Sequence, residues 1–75
     1  MNEEWTRQVN PILRVVTCHK RDGENHYLHD IVLAIKIDAE EVLWYMNISG
    51  TIYSRNYDYF CYAEALINGE WLAVS

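Results

Sequence analysis

Runs of β-branched and other apolar residues lie on either side of Asp22-Gly23, and this is the clearest structural signal in the chain. Ile12 to His19 is rich in β-branched residues, and Tyr27 to Ile37 resumes with Ile, Val and Leu. Asp-Gly between such runs predicts a hairpin, because a type I′ turn needs positive φ at both central positions. A two-residue turn pairs Arg21 with Glu24, His19 with His26, and Thr17 with Leu28. A longer loop over residues 20–26 would shift that register.

A second Asx-Gly pair, Asn68-Gly69, divides the C-terminal segment in the same way. As a type I′ turn it pairs Leu66 with Trp71, Ala65 with Leu72, and Ala63 with Val74. Strict alternation then lays Cys61, Ala63, Ala65, Ile67, Leu72 and Val74 on one face, and Phe60, Tyr62, Glu64, Leu66 and Trp71 on the other. The competing pattern is a helical stripe of Tyr59, Tyr62, Ala63, Leu66 and Ile67 ended by Gly69. Tyr-Asp-Tyr-Phe-Cys-Tyr is poor helix material, so the hairpin is the better reading.

Two helices are expected between and before these ribbons. Asn2 is positioned to cap a short one over Glu3 to Val9, which Asn10-Pro11 would end. Asp38-Ala39-Glu40-Glu41 has the spacing of a capping box, with the Asp38 carboxylate accepting from the Glu41 amide. It predicts a helix over Ala39 to Asn47 with Val42, Leu43 and Met46 inward and Gly50 available as its stop. Val-Leu-Trp-Tyr-Met is as β-prone as it is helical, which makes a strand the rival. Thr51 to Ser54 reads as a strand. The expected fold is therefore α+β and β-rich: a single domain over residues 1–75 with an antiparallel sheet, an N-terminal hairpin, a short central helix and a C-terminal ribbon. The alternative is a small all-β barrel.

Seventy-five residues, 51% of them hydrophobic, bury only about 60–65% of the unfolded surface. So thin a core favours a second copy, and a homodimer through the C-terminal ribbon is expected. Cys18 and Cys61 are too few for a disulfide-stapled extracellular domain and fit a reducing cytoplasm. The Met-Asn-Glu-Glu-Trp start is acidic where a signal peptide is basic. Ile31 to Ile37 is interrupted by Lys36 and far too short to cross a bilayer, so no membrane partner is expected.

The net charge is −5, and all of it lies in the second half. From residue 38 onward Asp38, Glu40, Glu41, Asp58, Glu64 and Glu70 face Arg55 alone. Direct nucleic-acid binding is disfavoured, because phosphate neutralisation needs clustered Lys and Arg.

Candidate chemistry is sparse. Cys18, His19, His26 and His29 have metal-ligand side chains, and the Asp22-Gly23 register makes His19 and His26 cross-strand neighbours. Cys18 and His29 would then face away, and the spacing matches no zinc signature, so a small metal-binding protein is only an alternative. His19 cannot take the Cys18 thiol proton, since adjacent strand residues point oppositely. Glu40 and Glu41 read as a solvated acidic turn, not a catalytic pair. No enzyme and no cofactor are expected.

What remains is aromatic. Eight of the ten aromatic residues lie between positions 44 and 71. Trp44, Phe60 and Trp71 are expected in the core, leaving Tyr45, Tyr53, Tyr57, Tyr59 and Tyr62 for the surface. Tyr beside carboxylates is a common protein-binding chemistry. The predicted partner-binding set is Tyr57, Asp58, Tyr59, Tyr62 and Glu64, with Glu40 and Glu41 as a further acidic patch. The expected function is a non-enzymatic protein-binding domain that inhibits or regulates a protein partner, the type to which many phage and mobile-element inhibitors belong. It would act by burying Tyr anchors or by mimicking a nucleic-acid backbone against a basic nucleic-acid-binding protein. A structural homodimer subunit is the remaining alternative.

Overall fold

In the computed structural model, which describes residues 4–74, the chain is all strand. The elements are β1 (Thr6–Arg7), β2 (Leu13–Arg21), β3 (Glu24–Ile37), β4 (Leu43–Asn47), β5 (Ile52–Ser54), β6 (Phe60–Ile67) and β7 (Glu70–Ala73). They form one open antiparallel sheet in the order β5-β4-β3-β2-β6-β7, with β1 pairing β3. The α+β expectation is therefore wrong, and the all-β alternative is right in class though not in closure.

Both Asx-Gly turns form as expected. Asp22 and Gly23 have φ of 52° and 80°, and Asn68 and Gly69 of 51° and 81°. The β2–β3 ladder pairs Arg21 with Glu24, His19 with His26 and Thr17 with Leu28. The β6–β7 ladder pairs Leu66 with Trp71 and Ala65 with Leu72.

The central helix does not form. Asp38 opens a hairpin loop instead: its amide donates to the Val42 carbonyl at 3.0 Å and the Glu41 amide donates back to its carbonyl at 3.0 Å. Its Oδ1 accepts from the amides of Glu40 and Val42, at 2.8 and 3.0 Å. Glu41 closes the loop at φ 64°. The same design recurs one strand later. Asn47 Oδ1 accepts from the amides of Ser49 and Thr51, at 3.0 and 2.8 Å, and Gly50 takes the left-handed position at φ 85°. An Asx side chain capping nearby amides is common to helix starts and to such turns, so the capping-box spacing could not separate them. What separates them is β4, whose Leu-Trp-Tyr-Met-Asn run pairs with β3 along its length and with β5 at Trp44, Tyr45 and Met46.

The predicted N-terminal helix is also absent over the described residues: Thr6 and Arg7 pair with Ile35 and Ala34. Asn2 and Glu3 lie outside the described residues.

Two bulges shape the sheet. One lies in β3 between Val32 and Ala34, opposite β4, and the other where β2 meets β6, between Val16 and Thr17. Each adds a residue on one strand, reverses the alternation beyond it and bends the sheet. As a result β4 and β6, separated by two strands in the order, meet face to face. Tyr45 stacks on Phe60 with ring centroids 6.0 Å apart. The core is Val15, Val32, Tyr45 and Ala63, with Leu13, Ile35, Leu43, Tyr53 and Phe60 packed against it.

The large side chains therefore do not divide as expected. Tyr45, assigned to the surface, is 1% exposed and is the largest fully buried residue. The second bulge moves Phe60 onto the core face shared by Ala63 and takes Cys61 off it. Trp44 and Trp71 are only half-buried.

Candidate functional site

The curl leaves one side of the inner face open, and residues 55–59 cross there from β5 to β6. Consecutive turns hold this connection. The Tyr57 amide donates to the Ser54 carbonyl at 3.1 Å, the Phe60 amide to the Tyr57 carbonyl at 3.0 Å, and the Asn56 amide to Ser54 Oγ at 3.1 Å. The Cys18 amide of β2 then donates to the Tyr59 carbonyl at 2.9 Å. The two tyrosines are thus fixed by main-chain bonds to β5 and β2.

Their rings belong to a continuous row. Tyr53 lies 5.5 Å from Tyr57, Tyr57 meets Tyr59 edge to face at 5.5 Å, and Tyr59 stacks on the His19 imidazole at 4.6 Å. Offset and edge contacts of this kind are the favoured geometries between rings. His19 Nε2 lies 3.2 Å from the Thr17 hydroxyl, and Tyr53 Oη donates to Asp30 Oδ2 at 3.0 Å. Burial, and next this bond to the carboxylate, push the Tyr53 hydroxyl above its usual pKa. Tyr57 and Tyr59 remain 40% and 49% exposed, which leaves ring surface for a ligand. Beyond His19 the row opens into a depression of about 460 Å³ lined by His19, Lys20, Arg21, His26 and Leu28.

The predicted site residues divide into three places. Tyr57, Asp58 and Tyr59 are together and exposed in the row. Tyr62 and Glu64 lie on the outer face of the sheet, because Tyr62 pairs with Val16 and Glu64 with Arg14, out of phase with the core residue Val15. Glu64 Oε1 accepts from Arg14 Nε at 2.7 Å, and the guanidinium lies 4.1 Å from the Trp71 ring. Its charge is thereby compensated locally. Glu40 and Glu41 are exposed in the β3–β4 loop. In that loop Asp38 Oδ2 also accepts from Trp44 Nε1 at 3.0 Å. That bond, followed by the Val42 amide, holds the Asp38 carboxyl below its ordinary pKa.

The weak metal candidates His19 and His26 do pair across the hairpin, while Cys18 pairs with Tyr27 and His29 with Val16, on the outer face. Among the described residues no three His, Cys, Asp or Glu side chains gather as a metal site requires. On that outer face the bulge sets the Cys61 thiol beside Cys18. Burial, and next this neighbour, raise its pKa. Cys18 likewise raises the Tyr27 hydroxyl.

Sequence reasoning missed His19 and Tyr53 as members of the row. Neither carries a local signal: both join it through a connection whose path depends on the curl. No helix among the described residues is long and apolar enough to cross a membrane. In comparisons with protein-family models, curated proteins and solved structures, nothing matches the chain.

Proposed function

We propose that this chain is a non-enzymatic binding domain that occupies a surface of another protein and thereby inhibits or regulates it. The observation that carries this reading is the ring row of Tyr53, Tyr57, Tyr59 and His19, exposed at Tyr57 and Tyr59 and held by turns and main-chain bonds. Tyrosine anchors already ordered before binding lose little entropy on association and are typical of dominant interface contacts. Asp58 stands between two of them as an exposed carboxylate, suited to steering a basic partner into place. The compartment we assign is the reducing cytoplasm, on the strength of two free thiols in so small a chain.

The anchor mechanism is better supported than nucleic-acid mimicry. Asp38 is committed to its loop and Glu64 to Arg14. After residue 37 the exposed acids lie in three separate places, Glu40 and Glu41 in the β3–β4 loop, Asp58 between β5 and β6, and Glu70 at the start of β7, where a phosphate mimic needs a continuous line of charge.

The test is affinity capture from source lysate with wild-type protein, Tyr57→Ala/Tyr59→Ala, and Glu40→Gln/Glu41→Gln/Asp58→Asn, each checked for an unchanged fold. An anchor binder loses its partner with the tyrosine variant, with each anchor worth about 2 kcal/mol or more of affinity. The acid variant should only slow association. The reverse pattern would sink the anchor reading and favour mimicry.

A further inference from the structure

The outer half of β3 is an exposed, unpaired edge of the sheet. β3 pairs β2 from Glu24 to Ile31, yet β4 joins its other side only from Val32 onward. Over Glu24–Asp30 no strand among the described residues covers that second edge. Alternation along a strand sends the N–H and C=O groups of Asn25, Tyr27 and His29 in the same direction as the Ile31 carbonyl. That carbonyl points to the β4 side, where it accepts from the Ile48 amide at 3.2 Å. The segment is exposed, with two large apolar residues at its centre, Tyr27 at 50% and Leu28 at 53%. Native sheets shorten, charge or cover such edges, and this one carries carboxylates only at its two ends, Glu24 and Asp30, with no Lys, Arg or Pro.

We infer that the edge is a dimer seam, in which two copies of this chain pair the outer halves of β3 antiparallel about a two-fold axis at Leu28. Charge and hydrogen bonding select that register. Centred on Leu28, Leu28 meets Leu28, and His26 of each copy faces Asp30 of the other. Tyr27 and His29 exchange their outward main-chain bonds. Asp30 Oδ2 is taken by Tyr53, so Oδ1 is the oxygen available to the incoming imidazole. Moving the axis to Tyr27 sets Glu24 against Asp30, a like-charge pair. Moving it to His29 requires the Ile31 carbonyl that Ile48 already occupies. The C-terminal ribbon, expected to supply the seam, ends instead in the short β7 (Glu70–Ala73). The seam adjoins the aromatic row at Asp30 and at the depression lined by His26 and Leu28, but it uses none of the row's rings, so the inference does not depend on the proposed function.

Sedimentation and cysteine cross-linking test it on the intact chain. Wild-type protein should sediment as a dimer at ~100 µM, and His29→Pro should weaken dimerisation at least about tenfold. That variant removes one outward N–H and leaves the bonds to β2 in place. A monomeric wild type at this concentration overturns the inference. Independently, in a Cys18→Ala/Cys61→Ala background, Leu28→Cys should oxidise rapidly to a covalent dimer. A residue on the axis faces itself at a non-hydrogen-bonded position, within disulfide reach. Asn25→Cys should not cross-link, because the two copies of residue 25 lie at opposite ends of the paired segment. Equal cross-linking of both variants would overturn the register.

Discussion

The two halves of β3 are continuous in sequence and unlike in structure. From Val32 to Ile37 the strand pairs β4, has β1 on its other side at Ala34 and Ile35, and packs against the core through Val32 and Ile35. From Glu24 to Asp30 it is paired on one side, and every side chain except Asp30 is exposed. The outer half is the more polar, with Tyr27 and Leu28 as its large apolar residues, yet apolar character alone does not set burial, since Leu33 and Ile37 of the inner half are exposed too. Burial here follows from which strands arrive alongside. Tyr53 Oη on Asp30, near the junction, ties β5 to the outer half by a side-chain hydrogen bond.

The largest expected effect lies at the inner half. Tyr45→Ala should remove about 3–5 kcal/mol, enough to abolish the cooperative transition of so small a domain in urea. A residual transition with native slope would show that the core does not depend on this ring. Next is Asn47→Ala, which strips two amide bonds from the loop following β4 and should cost about 2 kcal/mol in the same assay. A loss below ~0.5 kcal/mol would mean that Gly50 alone maintains the turn.

The tie between the halves should be worth less. Tyr53→Phe leaves the ring row intact but deletes the bond to Asp30, at a cost of about 1 kcal/mol. Because the folded hydroxyl has a raised pKa, its contribution is complete below about pH 10 and is lost as pH rises through the folded value. Wild type and variant should therefore converge in stability in strongly alkaline solution. A constant difference across that range would locate the effect elsewhere.

At the end of the inner half, Glu41 occupies the left-handed position that Gly50 occupies in the neighbouring loop. Glu41→Gly should stabilise by up to ~1 kcal/mol, and an equal loss would show that its side chain is held by contacts worth more than the backbone strain. Smallest of all, Leu28→Ala in the outer half should alter monomer stability by no more than about 0.5 kcal/mol. A cost comparable to that of Asn47→Ala would show that the outer half is packed after all.

Of the candidate site, the sequence made visible Tyr57, Asp58 and Tyr59, since a tyrosine-rich stretch beside an acid can be read directly. Tyr62 and Glu64 were grouped with them because they are close in sequence, and a bulged strand separates them by face. His19 and Tyr53 lie far from Tyr57 and Tyr59 along the chain or on another strand, and only the path of residues 55–59 brings the four rings together.

Both Asx-Gly turns were marked by the sequence alone, because positive φ at adjacent positions is a local demand that few residue pairs satisfy, while the choice of the two-residue register over a longer loop was read from the β2–β3 ladder. Tertiary structure decided everything that local preference left balanced. Leu43 to Asn47 became a strand because β3 and β5 supply hydrogen-bond partners on both sides, outweighing a capping pattern that serves a turn equally well. The bulges have no sequence signature here, yet they choose which rings are buried. Packing decides this, since only a bent sheet lets Tyr45 and Phe60 meet and close the core.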